Sequence, residues 1–342
     1  MLFPTDAVIA VTHRCNARCV MCNAWKRQTP DRLAPEHMRR LPISLRTVNL
    51  SGGEPFLRED LGEFVREIRV RCRRAVITIS TNAFLPERIE AMMAEILQID
   101  PTVRLAVSLD GLGESHDNIR GVPGAFDKAM MLIESLRAKG YAGLRLSMTL
   151  SRGNLDQLLG VAELADRLGV ELGVIAAHGV KTHLDVEPGV FGDFLENPEW
   201  LHEPFEAVIS RWLRSSDPRR WLRAHFAART YYHLTDRPWR FRCKAGEDFF
   251  FLQADGEVYH CSVQGKAMGN IIDEPFEALW RSPAAEEARR AARNCPEHCW
   301  MICTVRGVYR RRAPRVMLWI AWAKLRAHLG RFKLRRIKQK EI

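Results

Sequence analysis

Residues 11–26, VTHRCNARCVMCNAWK, set Cys15, Cys19 and Cys22 at C-x3-C-x2-C spacing in one short stretch. Three thiolates from a single loop can bind three irons of a [4Fe–4S] cube, because soft sulfur donors suit iron–sulfur chemistry. No fourth cysteine follows nearby, so one iron of such a cube stays open to an outside ligand. On spacing alone the triplet also fits a zinc site with a distant fourth ligand, or three unrelated thiols. The flanks weigh against both. Residues Ala7–Thr12 read as a buried strand, which puts the loop at a strand's C-terminal end, where α/β barrels carry their chemistry.

A second stretch, Ser51-Gly52-Gly53-Glu54-Pro55, also follows an apolar strand, Thr47 to Leu50. Two glycines let backbone come close to a ligand, and a glutamate there can receive an ammonium group. Taken with the cysteine triplet, it resembles the GGEP motif of the radical SAM superfamily. The resemblance implies that the open iron holds the amino and carboxylate groups of S-adenosylmethionine (SAM). Gly52, Gly53, Glu54 and Pro55 would then lie beside that cofactor. Met21 stands where the family often has an aromatic residue, and is an apolar substitute able to cover the cluster.

A chain of 342 residues suffices for one large domain or two modest ones. Its 46% hydrophobic content argues against bulk disorder. No signal peptide precedes the first strand, and no apolar run approaches the ~20 residues that a membrane span needs. The nine cysteines fall as a triplet, a single Cys72, a spaced pair and a final triplet. That clustering suits metal ligation in a reducing cytoplasm better than a disulfide framework, though spacing does not exclude disulfides. Net charge is +11, yet from Val305 onward 13 Lys and Arg face one acid, Glu341. The remainder is near neutral, so any argument for an acidic partner concerns the tail alone.

Strand and helix signals alternate to about residue 176. The strands are expected at Ala7–Thr12, Arg46–Leu50, Ala75–Ser80, Val103–Leu109, Leu144–Thr149 and Val170–Ala176, with helical periodicity between them. Near-continuous apolar strands imply a parallel sheet covered by helices, either doubly wound or closed into a barrel. The radical SAM resemblance implies the second, a partial (β/α)6 TIM-like barrel. Ser80-Thr81-Asn82 and Ser108-Leu109-Asp110-Gly111 end two strands and become candidates for the SAM site. The run from Val107, VSLDGLGESHDNIRGVPGAFDKAM, resembles a segment of radical SAM enzymes with SPASM or twitch extensions. It implies that Ser108 and Arg120 lie near the SAM carboxylate or ribose. The plainer alternative is a turn at Asp110-Gly111, with Ser108 satisfying a backbone group. Thr149 and Asn154 either cap the next helix or touch SAM. Cys72, amid four arginines, reads as a small buried side chain rather than a thiol hydrogen donor. His178 and His183 read as surface residues, with contact to substrate as the alternative.

Further on, Cys243 and Cys261 flank FFFLQADGEVYH, a hairpin turning at Asp255-Gly256. Cys295, Cys299 and Cys303 follow. This order, with Gly269-Asn270 and Leu279-Trp280, resembles the SPASM/twitch extension. Full SPASM domains carry about seven cysteines, and five here imply one auxiliary [4Fe–4S] cluster with one of Cys295, Cys299 and Cys303 spare. A zinc ribbon would want tighter pairs. The expected organisation is a barrel core over 1–180, a helical connector over 181–242, the auxiliary-cluster domain over 243–307 and a basic amphipathic tail over 308–342.

The resemblance implies a SAM-derived 5′-deoxyadenosyl radical that takes hydrogen from an unactivated carbon. A flavodoxin- or ferredoxin-type donor would supply the electron, and an auxiliary cluster beyond the barrel mouth would accept one. The expected substrate is a small molecule, sugar, lipid or lipid-linked compound. A ribosomally made peptide is the alternative, and an iron–sulfur electron carrier or nucleic-acid binder is the reading of another class. No specific nucleic acid is expected. Leu318, Trp322, Leu325, Leu329 and Phe332 recur at three- and four-residue steps. That is one face of a basic helix, able to lie on an anionic membrane, pack on the barrel or grip an acidic partner. Localisation is expected to be cytoplasmic, with membrane contact at the inner face.

Overall fold

The computed structural model describes residues 3–177, 199–235, 241–296 and 299–335. His178, His183 and Lys338 lie outside the described residues. Six strands run parallel: β1 (Asp6–Thr12), β2 (Thr47–Gly52), β3 (Val76–Thr81), β4 (Arg104–Ser108), β5 (Leu144–Leu150) and β6 (Glu171–Ala176). Each lies within two residues of its expected place. Helices α1 (Leu61–Arg71), α2 (Pro86–Ile99), α3 (Glu114–Arg120), α4 (Ala125–Ala138) and α5 (Gln157–Arg167) fill the crossovers. Consecutive strands are neighbours all the way from β6 to β1. A doubly wound sheet would reverse its order near the middle, so this is the order of a curled partial barrel. In β5, Leu144, Leu146, Met148 and Leu150 are buried in the core, while Arg145, Ser147 and Thr149 are half-buried on the other face. Cys72, at the end of α1, is fully buried with its thiol 3.5 Å from the Pro42 carbonyl, so it is the small core side chain its sequence suggested.

Two helices, α6 (Glu199–Arg214) and α7 (Pro218–Leu234), lead to β7 (Phe249–Leu252), β8 (Glu257–Tyr259) and β9 (Ala267–Asn270). Strand β7 pairs in parallel with β1, from Asp6 opposite Phe249 to Ile9 opposite Leu252. Strands β8 and β9 continue antiparallel, so one nine-stranded sheet runs through the barrel and the extension. The β7–β8 connection is a four-residue loop closed from Gln253, with Gly256 at φ +90°. At the start of β1 the buried Asp6 pairs with Arg306 and Arg310. Helices α8 (Phe276–Arg281) and α9 (Pro283–Arg293) follow β9, and Phe276 stacks on Trp280 at 5.3 Å between ring centres.

The chain then forms α10 (Ile302–Arg311) and α11 (Ala313–His328). Helix α11 packs on α6 and α7 through Val316, Ile320, Ala323 and Ala327. That is not the face picked out by the leucine and tryptophan spacing. Leu318, Trp322, Leu325 and Leu329 are exposed, and of that line only Phe332 is buried. Among the described residues no helix is long and apolar enough to cross a membrane.

Candidate functional site

The loop that carries Cys15, Cys19 and Cys22 leaves the end of β1 and is seated by two backbone seams. On one side the Gly53 N–H donates to the Thr12 carbonyl at 2.9 Å, and the Glu54 N–H to the Arg14 carbonyl at 2.8 Å. A Cβ on Gly52 or Gly53 would overlap those same carbonyl oxygens. The glycines therefore let the cysteine loop lie flush on β2, whereas the sequence suggested that they make room for a ligand. On the other side Arg18 N–H donates to Arg120 O and Val20 N–H to Ile119 O, both at 2.9 Å. Gly121, at φ +64°, leaves the space for that contact: a Cβ there would come within 2.5 Å of the Arg18 carbonyl oxygen.

Charge is concentrated inside this seat. Glu54 is fully buried and accepts from Thr81 Oγ1 at 2.9 Å, Asn82 N at 2.7 Å and Phe56 N at 3.3 Å. Burial nevertheless pushes its pKa up to about 7. Burial also raises the thiols of Cys15 and Cys22, to about 12 and about 11. Glu54 adds to the shift at Cys15, and the neighbouring cysteines add to both. Three thiols crowded in one loop are a donor set for a cationic metal group, which would hold them as thiolates.

The seat's own cation is Arg120. Its Nη2 lies 2.7 Å from Asp110 Oδ2, its Nη1 lies 3.7 Å from Cys19 Sγ, and its buried Nε has no hydrogen-bond partner among the described residues. Burial would lower its pKa, but Asp110 and the thiolates of Cys19 and Cys15 outweigh that and hold it above the ordinary value. Asp110 is itself pushed above the usual carboxylate range by burial, which Arg120 offsets only in part.

Of the other residues expected here, Met21 is buried in the cysteine loop and Pro55 opens the short turn after Glu54. Ser108 sits half-buried at the end of β4, opposite Ser147. Asn82 lies 4.0 Å from Cys15 Sγ and donates to Asn16 Oδ1 at 2.7 Å. Asn154 caps the short 3-10 turn Arg152–Asn154 that follows β5, its Oδ1 accepting from the Ser151 N–H at 2.8 Å. Its amide donates to the carbonyls of Asp110 at 2.8 Å and Thr149 at 3.0 Å, tying the end of β4 to that of β5. Thr149 N–H donates to Asp110 Oδ1 at 2.8 Å. Two contributors went unread in the sequence. Buried His13 meets Gln253 Oε1 at 3.0 Å, joining the cysteine loop to the tip of the β7–β8 hairpin. His116, lowered to about 3 by burial, accepts from the Asp110 N–H at 3.0 Å.

The second cysteine group surrounds a cavity lined by Cys243, Cys261, Cys295 and Cys299, with Phe241, His260 and Thr304. Cys303 packs beside Cys243 and Cys261 on Ala245, Phe249 and Ala292. Burial raises Cys243 to about 11 and Cys303 to about 12. Cys261 is burdened by burial too, but His260 Nε2 at 3.5 Å brings it below the ordinary thiol value. Phe249 is level with Asp6 at the start of β1, so this group stands at the opposite end of β1 from the first. The expectation of a cluster beyond the barrel mouth is thereby corrected: the antiparallel β8 carries Cys261 back down the sheet. Among the described residues no three His, Cys, Asp or Glu side chains are grouped to hold a single metal ion.

Comparison with known proteins agrees with this layout. The radical SAM superfamily model matches residues 9–165, and that of the SPASM iron–sulfur cluster-binding domain matches 243–304. The AdoMet-dependent heme synthase of Methanosarcina barkeri is 27% identical over 80% of this chain and 80% of that protein. The mycofactocin maturase MftC of Mycobacterium ulcerans is 32% identical over 80% of this chain and 73% of its own. Among solved structures, Streptococcus suis SuiB bound to S-adenosylmethionine has a TM-score of 0.64 at 16% identity, covering 84% of this chain and 68% of that one. Native anSMEcpe with bound AdoMet has a TM-score of 0.62 at 14% identity, covering 93% and 99%.

Proposed function

Because the chain belongs to the radical SAM superfamily, as an enzyme with a SPASM iron–sulfur domain, we propose that it matures a peptide by taking hydrogen from an unactivated carbon. One observation carries the reading: relatives 31–32% identical over four fifths of this chain are named maturases. Two structures that share the fold hold a precursor peptide or another peptide. These likenesses favour the peptide alternative over the first expectation of a sugar, lipid or lipid-linked substrate. A second reading, chemistry on a tetrapyrrole, is favoured by relatives named AdoMet-dependent heme synthase at 26–27% identity.

Cys15, Cys19 and Cys22 would hold the first cluster, and four of Cys243, Cys261, Cys295, Cys299 and Cys303 the auxiliary one. SAM bound at the first cluster would supply a 5′-deoxyadenosyl radical, with a flavodoxin- or ferredoxin-type protein as electron source. The chain's own residues then bind and orient. Glu54 offers a buried carboxylate to an ammonium group. Arg120, fixed by Asp110, offers guanidinium to the thiolate side of the site or to a carboxylate. Ser108 and Met21 would border the same space, and the two seams would hold the cysteine loop in place. We place the reaction in the cytoplasm, whose reducing conditions suit the cysteine groups as metal ligands.

The test is anaerobic reconstitution with SAM and dithionite, adding candidate precursor peptides or tetrapyrroles in parallel. Peptide maturation requires 5′-deoxyadenosine above the uncoupled level with the peptide alone. Deuterium should pass into it from a labelled peptide. Stimulation by the tetrapyrrole only would move the assignment to the second reading.

A further inference from the structure

Helix α11 is apolar on two opposite faces, and among the described residues only one of them is packed. The inner face packs through Val316, Ile320, Ala323 and Ala327, and it is bolted in place. Lys324 Nζ donates to the carbonyls of Leu213 at 3.1 Å and Ser215 at 2.9 Å, and Arg214 donates to the Ala327 carbonyl at 3.0 Å. Just beyond the helix, Lys333 pairs with Glu206 at 2.9 Å. Rotation about the helix axis is therefore blocked. The outer face presents Leu318, Trp322, Leu325 and Leu329, which are 72, 51, 62 and 58% exposed. Their steps of four, three and four residues put them on one line.

The rim of this line has one sign of charge. On the helix itself Arg315 and Arg326 flank it, Arg326 lying over the Trp322 ring at 5.2 Å, while Arg311 before the helix is held by Asp248. No acidic residue occurs between positions 305 and 340. A second copy of this face would set arginine against arginine. A surface that is apolar inside and anionic at its edge satisfies both features together: the leucines and tryptophan enter the acyl boundary while guanidinium groups meet lipid phosphates.

We propose that the outer face of α11 seats the enzyme on anionic lipid bilayers, as a helix lying in the interface. The contact is peripheral and independent of the peptide chemistry, because none of these side chains belongs to either cysteine group. It gives the bound enzyme one fixed orientation.

The experiment uses the full-length reconstituted enzyme and vesicles of either phosphatidylcholine alone or phosphatidylcholine with about a third phosphatidylglycerol. Co-sedimentation should be strong with the anionic vesicles and weak with the neutral ones, and should fall several-fold between ~0.1 and ~0.5 M salt. Joint replacement Leu318→Ser, Trp322→Ser, Leu325→Ser should lower the partition coefficient by ~100-fold or more, since each withdraws a large apolar side chain from lipid. Arg315→Gln with Arg326→Gln should lower it chiefly for anionic vesicles. Because all five positions lie on the outer face, helix content and bound iron should match the parent. Parent-like sedimentation of the triple variant overturns the proposal. So does equal sedimentation with both vesicle types, or binding of this face to an acidic protein with no sedimentation on either.

Discussion

Glu54 holds a carboxylate where water cannot reach it, and three donors of the chain answer that charge. Glu54→Gln keeps the shape and removes the charge, so SAM should bind ~10-fold or more weakly at unchanged iron content, by the worth of a charge-assisted hydrogen bond. Equal affinity would leave the stretch as a turn that seats the loop. Glu54→Ala should also lower stability by ~1–3 kcal/mol, as the buried donors of Thr81 and Asn82 lose their acceptor. The pH dependence has a definite sign. The folded SAM-free protein holds this proton up to about 7 against 4.5 ordinarily. Its native state thus binds more protons in that window, and stability falls as pH rises through it. SAM affinity should run the other way, tightening as pH passes about 7, and Glu54→Gln should abolish that slope. Arg120→Met leaves Asp110 as an uncompensated buried charge and should cost ~3–5 kcal/mol in a denaturant melt. Adding Asp110→Asn should restore much of that stability without restoring SAM affinity.

Seams between elements hold the site, and Gly53→Ala tests the first of them. The added Cβ meets the Arg14 carbonyl, so the cysteine loop must lift. Iron bound by the first cysteine group should drop while the auxiliary group keeps its own. The six barrel strands were legible because buried apolar residues recur along each, nearly continuous in β1 and alternating in β5. The cysteine and GGEP spacings were legible as cofactor chemistry. The purpose of Gly52 and Gly53 was not, since a sequence reveals backbone freedom but not the carbonyl that needs it. The tail misled for a different reason. Periodicity finds apolar faces, and α11 has two. Small Ala323 and Ala327 let the inner face approach α6 and α7 closely, which the bulkier leucine line does not. The His13–Gln253 contact bridges 240 positions, and no local pattern carries it.

At the scale of the whole chain, two cysteine groups predict about eight irons per protein after anaerobic reconstitution. Joint Cys15→Ala, Cys19→Ala, Cys22→Ala should leave about four and end SAM cleavage; a parent value near four would remove the auxiliary cluster. The continuous sheet makes the barrel depend on its extension. A chain ending at residue 242 strips β7 from β1 and leaves Asp6 buried without Arg306 or Arg310. It should aggregate or melt well below the parent, and a soluble, cooperatively folding fragment would show the barrel to be self-sufficient. The same sheet fixes how the two iron sites sense each other. One group hangs from the end of β1 and the other stands level with its start, and six steps of strand amount to ~20 Å. Across that gap two unpaired spins interact only weakly through space. The electron paramagnetic resonance spectrum of the fully reduced enzyme should be close to the sum of the spectra of variants that each keep a single cluster, with at most slight dipolar broadening.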